Sequence, residues 1–296
     1  MSFATTELPS HTIAKLASEY PEAGHVLRSA TPLRLHGGEE SAAYRLGEFV
    51  VRVGARWRSA AELEWSGQVA SAVADAVTEV IAPLGCASGR AVHVIEGHPI
   101  TVWPFVAGAW ADRANRRHFD SAAALLARVH RALAAAPLGP PPASDRRLGD
   151  TSDLTDHRLD EWLRAFSRDH LRRHALHGDY YPGNVLAVGD RLVGLLDWDE
   201  AFVGSPESEL AVAAWEWGDC LRTGQLSKAL EFAACYCRTR GTATALDDVA
   251  LRQLIRRRLR WEAGVRRSDN AQEPQGAYDN AYAAAQIAAF HDLAPS

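Results

Sequence analysis

The chain has 296 residues, 47% of them hydrophobic, and its 37 acidic against 32 basic residues leave a formal net charge of −5. That is ample for a packed core, while the acidic balance argues against a nucleic-acid partner and points to small molecules. Four irregularly spaced cysteines, Cys86, Cys220, Cys235 and Cys237, make neither a disulfide framework nor a zinc pattern. No stretch approaches the roughly 18 apolar residues of a membrane span, and "MSFATTELPSHTIAKL" lacks the basic and apolar regions of a leader. The expectation is a cytoplasmic protein with reduced thiols and no membrane partner. No long apolar surface run argues for more than a monomer.

In chain order, the first hundred residues carry strand-like runs: "TPLRLHGG", "SAAYRLGEFVVRVG" and "AVHVIEGHPITVWPF". Gly47-Glu48 suits a tight hairpin, and "EGHP" joins the later pair. Between them "SAAELEWSGQVASAVADAV" has helical spacing, with Trp65, Val69 and Val73 on one face and Ser59 as N-cap. From Trp110 the pattern turns helical. "FDSAAALLARVHRALAAA" opens with Asp120 as its expected N-cap. The proline-rich "PLGPPPASDRRLGD" reads as a surface loop, and "DHRLDEWLRAFSRDHLRRHALHG" as a polar-faced helix. "SPESELAVAAWEWGDCL", "LSKALEFAACYCRTRG", "VALRQLIRRRLRWEAGVRR" and "AYDNAYAAAQIAAFHDLA" complete a helical C-terminal region. The fold class expected is α+β: a small antiparallel-sheet region over residues 1–103 and a larger helical one over 104–296, with a hinge near 103–108.

Two motifs carry chemistry. In "HGDYYPGNVL" the glycines and Pro182 specify a tight loop leading into a strand, and Gly189-Asp190 turns that strand back into "RLVGLLDWD". The hairpin lets the loop's polar groups and Asp197 meet at one end of a two-stranded ribbon. Phosphoryl transfer needs a carboxylate to take the acceptor's proton and hard oxygen donors for magnesium. Asp179 fits the first role, and Asn184 and Asp197 the second. The plainer reading is that Asp179 and Asn184 only satisfy turn backbone.

These motifs resemble those of the aminoglycoside phosphotransferase and choline kinase-like family, small-molecule kinases with the bilobal protein-kinase-like fold. "HGDYYPGNVL" is similar to the family's His-Gly-Asp loop with its later Asn, and "GLLDWDEAFVGSPESELA" to its Ile-Asp-Trp segment. The resemblance implies Asp179 as catalytic base, Asn184 and Asp197 as Mg2+ ligands, and His177 as a brace for the loop. "LHGGEESAAYRL" is similar to the turn over the nucleotide phosphates, which implies backbone contacts from Gly38 to Ser41. Arg52 stands at the strand position of the phosphate-binding cation, with Glu64 or Glu62 as its implied ion-pair partner. "TVWPFVAGAW" resembles the inter-lobe linker, where Pro104, Phe105 and Val106 would meet the purine, and His130 in "LARVHRAL" is expected to be core packing.

Arginine at 52 departs from protein kinases, though it is familiar in this family; the departures from the family pattern are Tyr180-Tyr181 after the base, Ser41 for asparagine and Glu209 for aspartate. Asp199 is open between supporting the metal and bracing the loop. The function implied is transfer of the γ-phosphoryl of ATP or GTP to a hydroxyl of an aminoglycoside or other antibiotic, and hence antibiotic resistance. The alternatives are a homoserine, choline or sugar-like acceptor, or a nucleotide-binding pseudokinase. Carboxylates that could meet a cationic acceptor are Glu207, Glu216, Asp219, Glu262, Asp269 and Asp279; Trp215, Trp217, Trp261, Tyr278 and Tyr282 could stack on it or fill the core.

Overall fold

The computed structural model describes residues 8–35, 41–143, 154–170, 172–272 and 280–295. They fall into two compact units, one drawn from Met1–Trp110, Ala136–Pro142 and Asn184–Phe202, the other from Ala111–Ala135, Ala143–Gly183 and Val203–Ser296.

The first unit is built on an antiparallel sheet whose strands lie in the order β1 (Leu33–Arg34), β2 (Ser41–Leu46), β3 (Phe49–Gly54), β5 (His98–Pro104) and β4 (Val92–Ile95). The hairpins anticipated from sequence are present. Leu46 pairs with Phe49 across Gly47-Glu48, and Ile95 with His98 across Glu96-Gly97. Glu96 and Gly97 have φ of 53° and 82°, the two left-handed positions of a type I′ turn whose twist matches its strands.

Two helices that the strand-like reading of this region passed over, α1 (Ser10–Glu19) and α2 (Gly24–Ser29), pack into the core here. Leu16, Ala17, Tyr20 and Leu27 are buried with Tyr44, Leu46, Val51, Ile100 and Val102 of the sheet. Full burial of each large apolar side chain contributes about 1.5–3 kcal/mol relative to exposure. The buried Tyr20 hydroxyl donates to Ala91 O at 2.8 Å, which removes the cost of an unpaired polar group. Helix α3 (Ala60–Ala74) opens where expected: Ser59 Oγ accepts from Glu62 N–H.

The same unit contains a second sheet, β6 (Ala109–Trp110), β8 (Val185–Val188) and β9 (Arg191–Leu195). The expected β8–β9 ribbon turns at Gly189, φ 58°, and pairs Val188 with Arg191. It gains β6 as a third strand, through Ala109↔Ala187 and Trp110↔Leu186.

The second unit is mainly helical: α4 (Arg116–Ala135), α5 (His157–Asp169), α6 (Pro206–Trp217), α7 (Cys220–Thr223), α8 (Ser227–Arg238), α9 (Asp248–Gln272) and α10 (Asn280–Asp292), with the short strand β7 (His174–Leu176). Two boundaries differ from the sequence reading. Helix α4 starts a turn early because Asn115 Oδ1, not Asp120, accepts the free N–H groups of Arg117 and His118. Helix α5 stops at Asp169, and residues 174–176, all buried, form a strand that a helical reading had absorbed. All four cysteines are free thiols, three of them buried. No helix among the described residues is long and apolar enough to cross a membrane.

Candidate active site

The hairpin register assembles one group of site residues in the first unit. Val185 pairs with Leu195, so the next residues outward, Asn184 and Leu196, meet: Leu196 N–H donates to Asn184 O at 2.9 Å. Asn184 ends a 3₁₀ turn (Pro182–Asn184) and is buried. Asp197 follows with φ 61°, a left-handed conformation that Asp tolerates better than most residues. Asn184 and Asp197 are thereby neighbours across the end of the ribbon.

Arg52 leaves the centre of β3 and ends on this turn. Its Nη2 donates to Asp197 Oδ1 at 3.1 Å and Asp199 Oδ2 at 3.0 Å, with Ser41 Oγ at 3.4 Å. A second arginine, Arg58, is buried beside it and pairs with Asp199 at 3.4 Å and Glu200 at 3.6 Å. Burial pushes the Asp199 carboxyl above its ordinary range; Arg52 and Arg58 oppose that shift, while Asp197 and Glu200 add to it.

Glu64 has a different place from the one expected of it. Its carboxylate accepts from Ala91 N–H at 3.2 Å and Val92 N–H at 2.9 Å, and it faces Arg90 at 3.8 Å. Glu64 therefore caps the entrance to β4, and the acids on Arg52 are Asp197 and Asp199. Of the linker residues, Pro104 has no N–H, and the Phe105 N–H is already donated to Glu48 O at 2.8 Å. Within the expected trio only Val106 keeps a backbone donor that could serve a ring edge. Gly38 lies outside the described residues.

The loop bearing Asp179 belongs to the second unit and is held from below by Glu209 of α6. Glu209 accepts the backbone N–H groups of His177 and Gly178, and its Oε2 accepts from His130 Nε2 at 2.7 Å. His130 Nδ1 in turn meets the Tyr236 hydroxyl at 2.7 Å, which itself accepts from Ala243 N–H. The bond to Glu209 requires a proton on His130 Nε2. Burial alone would raise Glu209; the His130 hydrogen bond and charge, aided by His177 and Gly178 N–H, hold it below the usual carboxylate range. His177, wholly buried, accepts from Asp179 N–H at 3.2 Å. Tyr181 folds over Gly183, where a Cβ would fall 2.5 Å from its ring.

Among the acceptor candidates, Glu207 is tied to Ser205 Oγ and Thr244 N–H, and Asp219 pairs with Arg113 and Arg222. Trp215 and Trp217 are core residues and Tyr282 is exposed. Tyr278, Asp279 and the side chain of Asp269 lie outside the described residues. Glu216 and Glu262 line a common pocket. Sequence reasoning had no role for Arg58 and treated Glu209 and His130 as background. The available signal was charge at core spacing: Glu209 lies between the apolar runs of α6, and a buried acid demands a partner.

A model of the phosphotransferase enzyme family matches residues 33–245. A homoserine kinase of Nitrobacter hamburgensis is 30% identical over 193 residues, 59% of this chain and 58% of that protein. A homoserine kinase of Beijerinckia indica is 28% identical over 221 residues, 67% and 66% of the two chains. The matched parts thus span under two thirds of these relatives' own lengths. In structure, an amicoumacin kinase in complex with AMP-PNP and Ca2+ superposes with a TM-score of 0.69 at 15% identity, over 96% of this chain and 93% of the other. A microcompartment-associated aminopropanol kinase gives 0.69 at 15%, over 96% and 94%. At such identities the likeness is one of fold.

Proposed function

The chain belongs to the phosphotransferase enzyme family and has a kinase-like fold, and from that premise we propose that it transfers the γ-phosphoryl of ATP or GTP to a hydroxyl of a small molecule. The observation that carries this reading is the ribbon end where Asn184, Asp197 and Arg52 converge. Asp179 is the base that takes the acceptor's proton, and the Glu209–His177 brace keeps its loop in shape for that task. Arg52 serves the phosphates. The donor set of Asn184 and Asp197, an amide oxygen and a carboxylate, suits Mg2+, which prefers a few hard oxygens completed by water and phosphate. When bound, that ion neutralises charge on the phosphates. In functional terms, residues 1–103 serve the nucleotide, Pro104 to Val106 adjoin its base, and 104–296 supply the base, the metal ligands and the acceptor contacts.

For the acceptor, the metabolite reading is favoured over an antibiotic, because the relatives alike in sequence, at 30% and 28% identity, are homoserine kinases. Free cysteines accord with a cytoplasmic setting. The test is Mg2+-dependent nucleoside diphosphate release with ATP and GTP against homoserine, other amino alcohols and aminoglycosides. Acceptor-stimulated release from the native protein, reduced at least about 1,000-fold in Asp179→Ala, is the expected result. Equal, negligible release from both, with nucleotide still bound, would make the protein a pseudokinase.

A further inference from the structure

Arg58 lies between β3 and α3, directly before Ser59, the residue that caps α3. An arginine in such a connection is expected to reach into water, yet its side chain is 7% exposed, against 19% for Arg52. A guanidinium taken out of water needs carboxylates. The acids that meet it, Asp199 and Glu200, come from the remote turn after β9. Arg52 grips Asp199 with two prongs, Nη1 to Oδ1 at 3.4 Å and Nη2 to Oδ2 at 3.0 Å, and Nη2 also reaches Asp197 Oδ1 at 3.1 Å. Arg58 Nη2 approaches the same Asp199 Oδ2 at 3.4 Å, while its Nη1 faces Glu200 Oε1 at 3.6 Å. Asp199 therefore stands between the two arginines.

A cation that serves phosphates must first loosen its hold on these acids. If Arg52 were the sole partner of Asp199, each departure would leave a largely buried carboxylate unpaired, and that cost would hold Arg52 back. Arg58 removes the obstacle, because it is the more buried of the two arginines and already lies against Asp199. We propose that Arg58 is a positioning residue for nucleotide binding: it stays on Asp199 as a standing counter-cation, so that Arg52 can turn to the nucleotide's phosphates without leaving that acid unpaired. Arg58 also ties the start of α3 to the turn that carries Asp197. Glu64 of α3 is no substitute, since its carboxylate is taken by the Ala91 and Val92 N–H groups. The inference rests on the phosphate role of Arg52 proposed above; it does not depend on which acceptor is used.

The experiment compares calorimetric binding of ADP without Mg2+ and of adenosine, which has no phosphate, in the full-length native protein, Arg58→Gln, Arg58→Lys, Asp199→Asn and the Arg58→Gln, Asp199→Asn double variant. Arg58→Gln should weaken ADP about tenfold or more and adenosine less than about twofold. Arg58→Lys keeps the charge and should fall between Arg58→Gln and the native protein. Once Asp199→Asn has removed the acid, adding Arg58→Gln should cost ADP less than about twofold. In turnover, KM for the nucleoside triphosphate should rise in Arg58→Gln with kcat little changed. Thermal melts establish folding, and Arg58→Lys carries the comparison if Arg58→Gln does not fold. A loss shared equally by ADP and adenosine, or one of the same size with and without Asp199, would overturn the positioning role; acceptor-stimulated turnover by the native protein would then leave the kinase reading standing. The ADP-selective, Asp199-dependent loss in a protein that turns over no acceptor would uphold the positioning role and remove the kinase reading. A native protein that binds no ADP would overturn both.

Discussion

At the scale of single residues, burial in the second unit decides which charges are structural. Glu209 has hydrogen bonds to both oxygens and a depressed pKa; it is the buried anchor beneath the Asp179 loop. Glu209→Ala removes one partner and leaves His130 and two N–H groups unmatched, so a loss of about 3–5 kcal/mol in denaturant unfolding is expected, together with loss of turnover. Glu216 is the opposite case. Burial pushes it up to about 7, Glu262 and Asp179 add to the shift, and Arg113 and Arg258 oppose it. The folded chain then holds a proton that the unfolded chain has released, so this group's effect is absent below the unfolded glutamate pKa. Its destabilising effect grows as pH rises from there and is complete above about 7. Glu216→Gln should match the native protein in stability at pH 4 and exceed it at pH 8 by on the order of 2 kcal/mol, measured by urea unfolding at the two pH values. Asp179, Asn184 and Asp197 were legible in sequence because they sit in a short loop and hairpin whose glycines announce the turns. Arg58 and Glu209 were not, since their partners are remote in the chain: Asp199 for the one, His130 for the other.

At the scale of elements, local capping chemistry determines where helices and turns begin. Asn115 satisfies two N–H groups at the start of α4, so Asn115→Ala should cost about 1 kcal/mol in thermal or chemical unfolding. An equivalent change at Asp120, inside the helix, should not reproduce that capping loss. In the β4–β5 hairpin, Gly97 has φ 82°, and a Cβ added there would meet only the Arg56 side chain within 4 Å, at 3.8 Å. Gly97→Ala therefore meets conformational strain without collision, and a loss of about 1–2 kcal/mol is expected. The strands β2 to β5 were readable from alternation and turn residues. The helices α1 and α2 were not, because they are short and bounded by residues without strong capping signals: neither α1 nor α2 has a side-chain cap.

At the scale of the molecule, the first unit is discontinuous in sequence. Its β6–β8–β9 sheet and the acids on Arg52 and Arg58 come from Asn184–Phe202, well beyond its main segment. A fragment ending at Pro142 would carry both arginines without Asp197, Asp199 or Glu200, and β6 without its partner strand. Such a fragment should lack a cooperative unfolding transition by circular dichroism, where the full chain has one. Long-range closure of this kind also predicts slow folding relative to a helical bundle of the same size.

What the sequence determined alone was everything carried by near neighbours: the Asp179 loop, the ribbon after it, the β hairpins and the helical C-terminal region. Those follow from φ preferences, turn residues and apolar spacing, which act over a few residues. Tertiary structure decided how the charges are partnered. It gave Arg52 to Asp197 and Asp199 instead of Glu64, set Glu209 beneath the Asp179 loop, and left Glu216 with no cation in ion-pair reach among the described residues. Burial and ion pairing depend on which distant segments meet, and the strength of each pair on how much water the fold excludes around it.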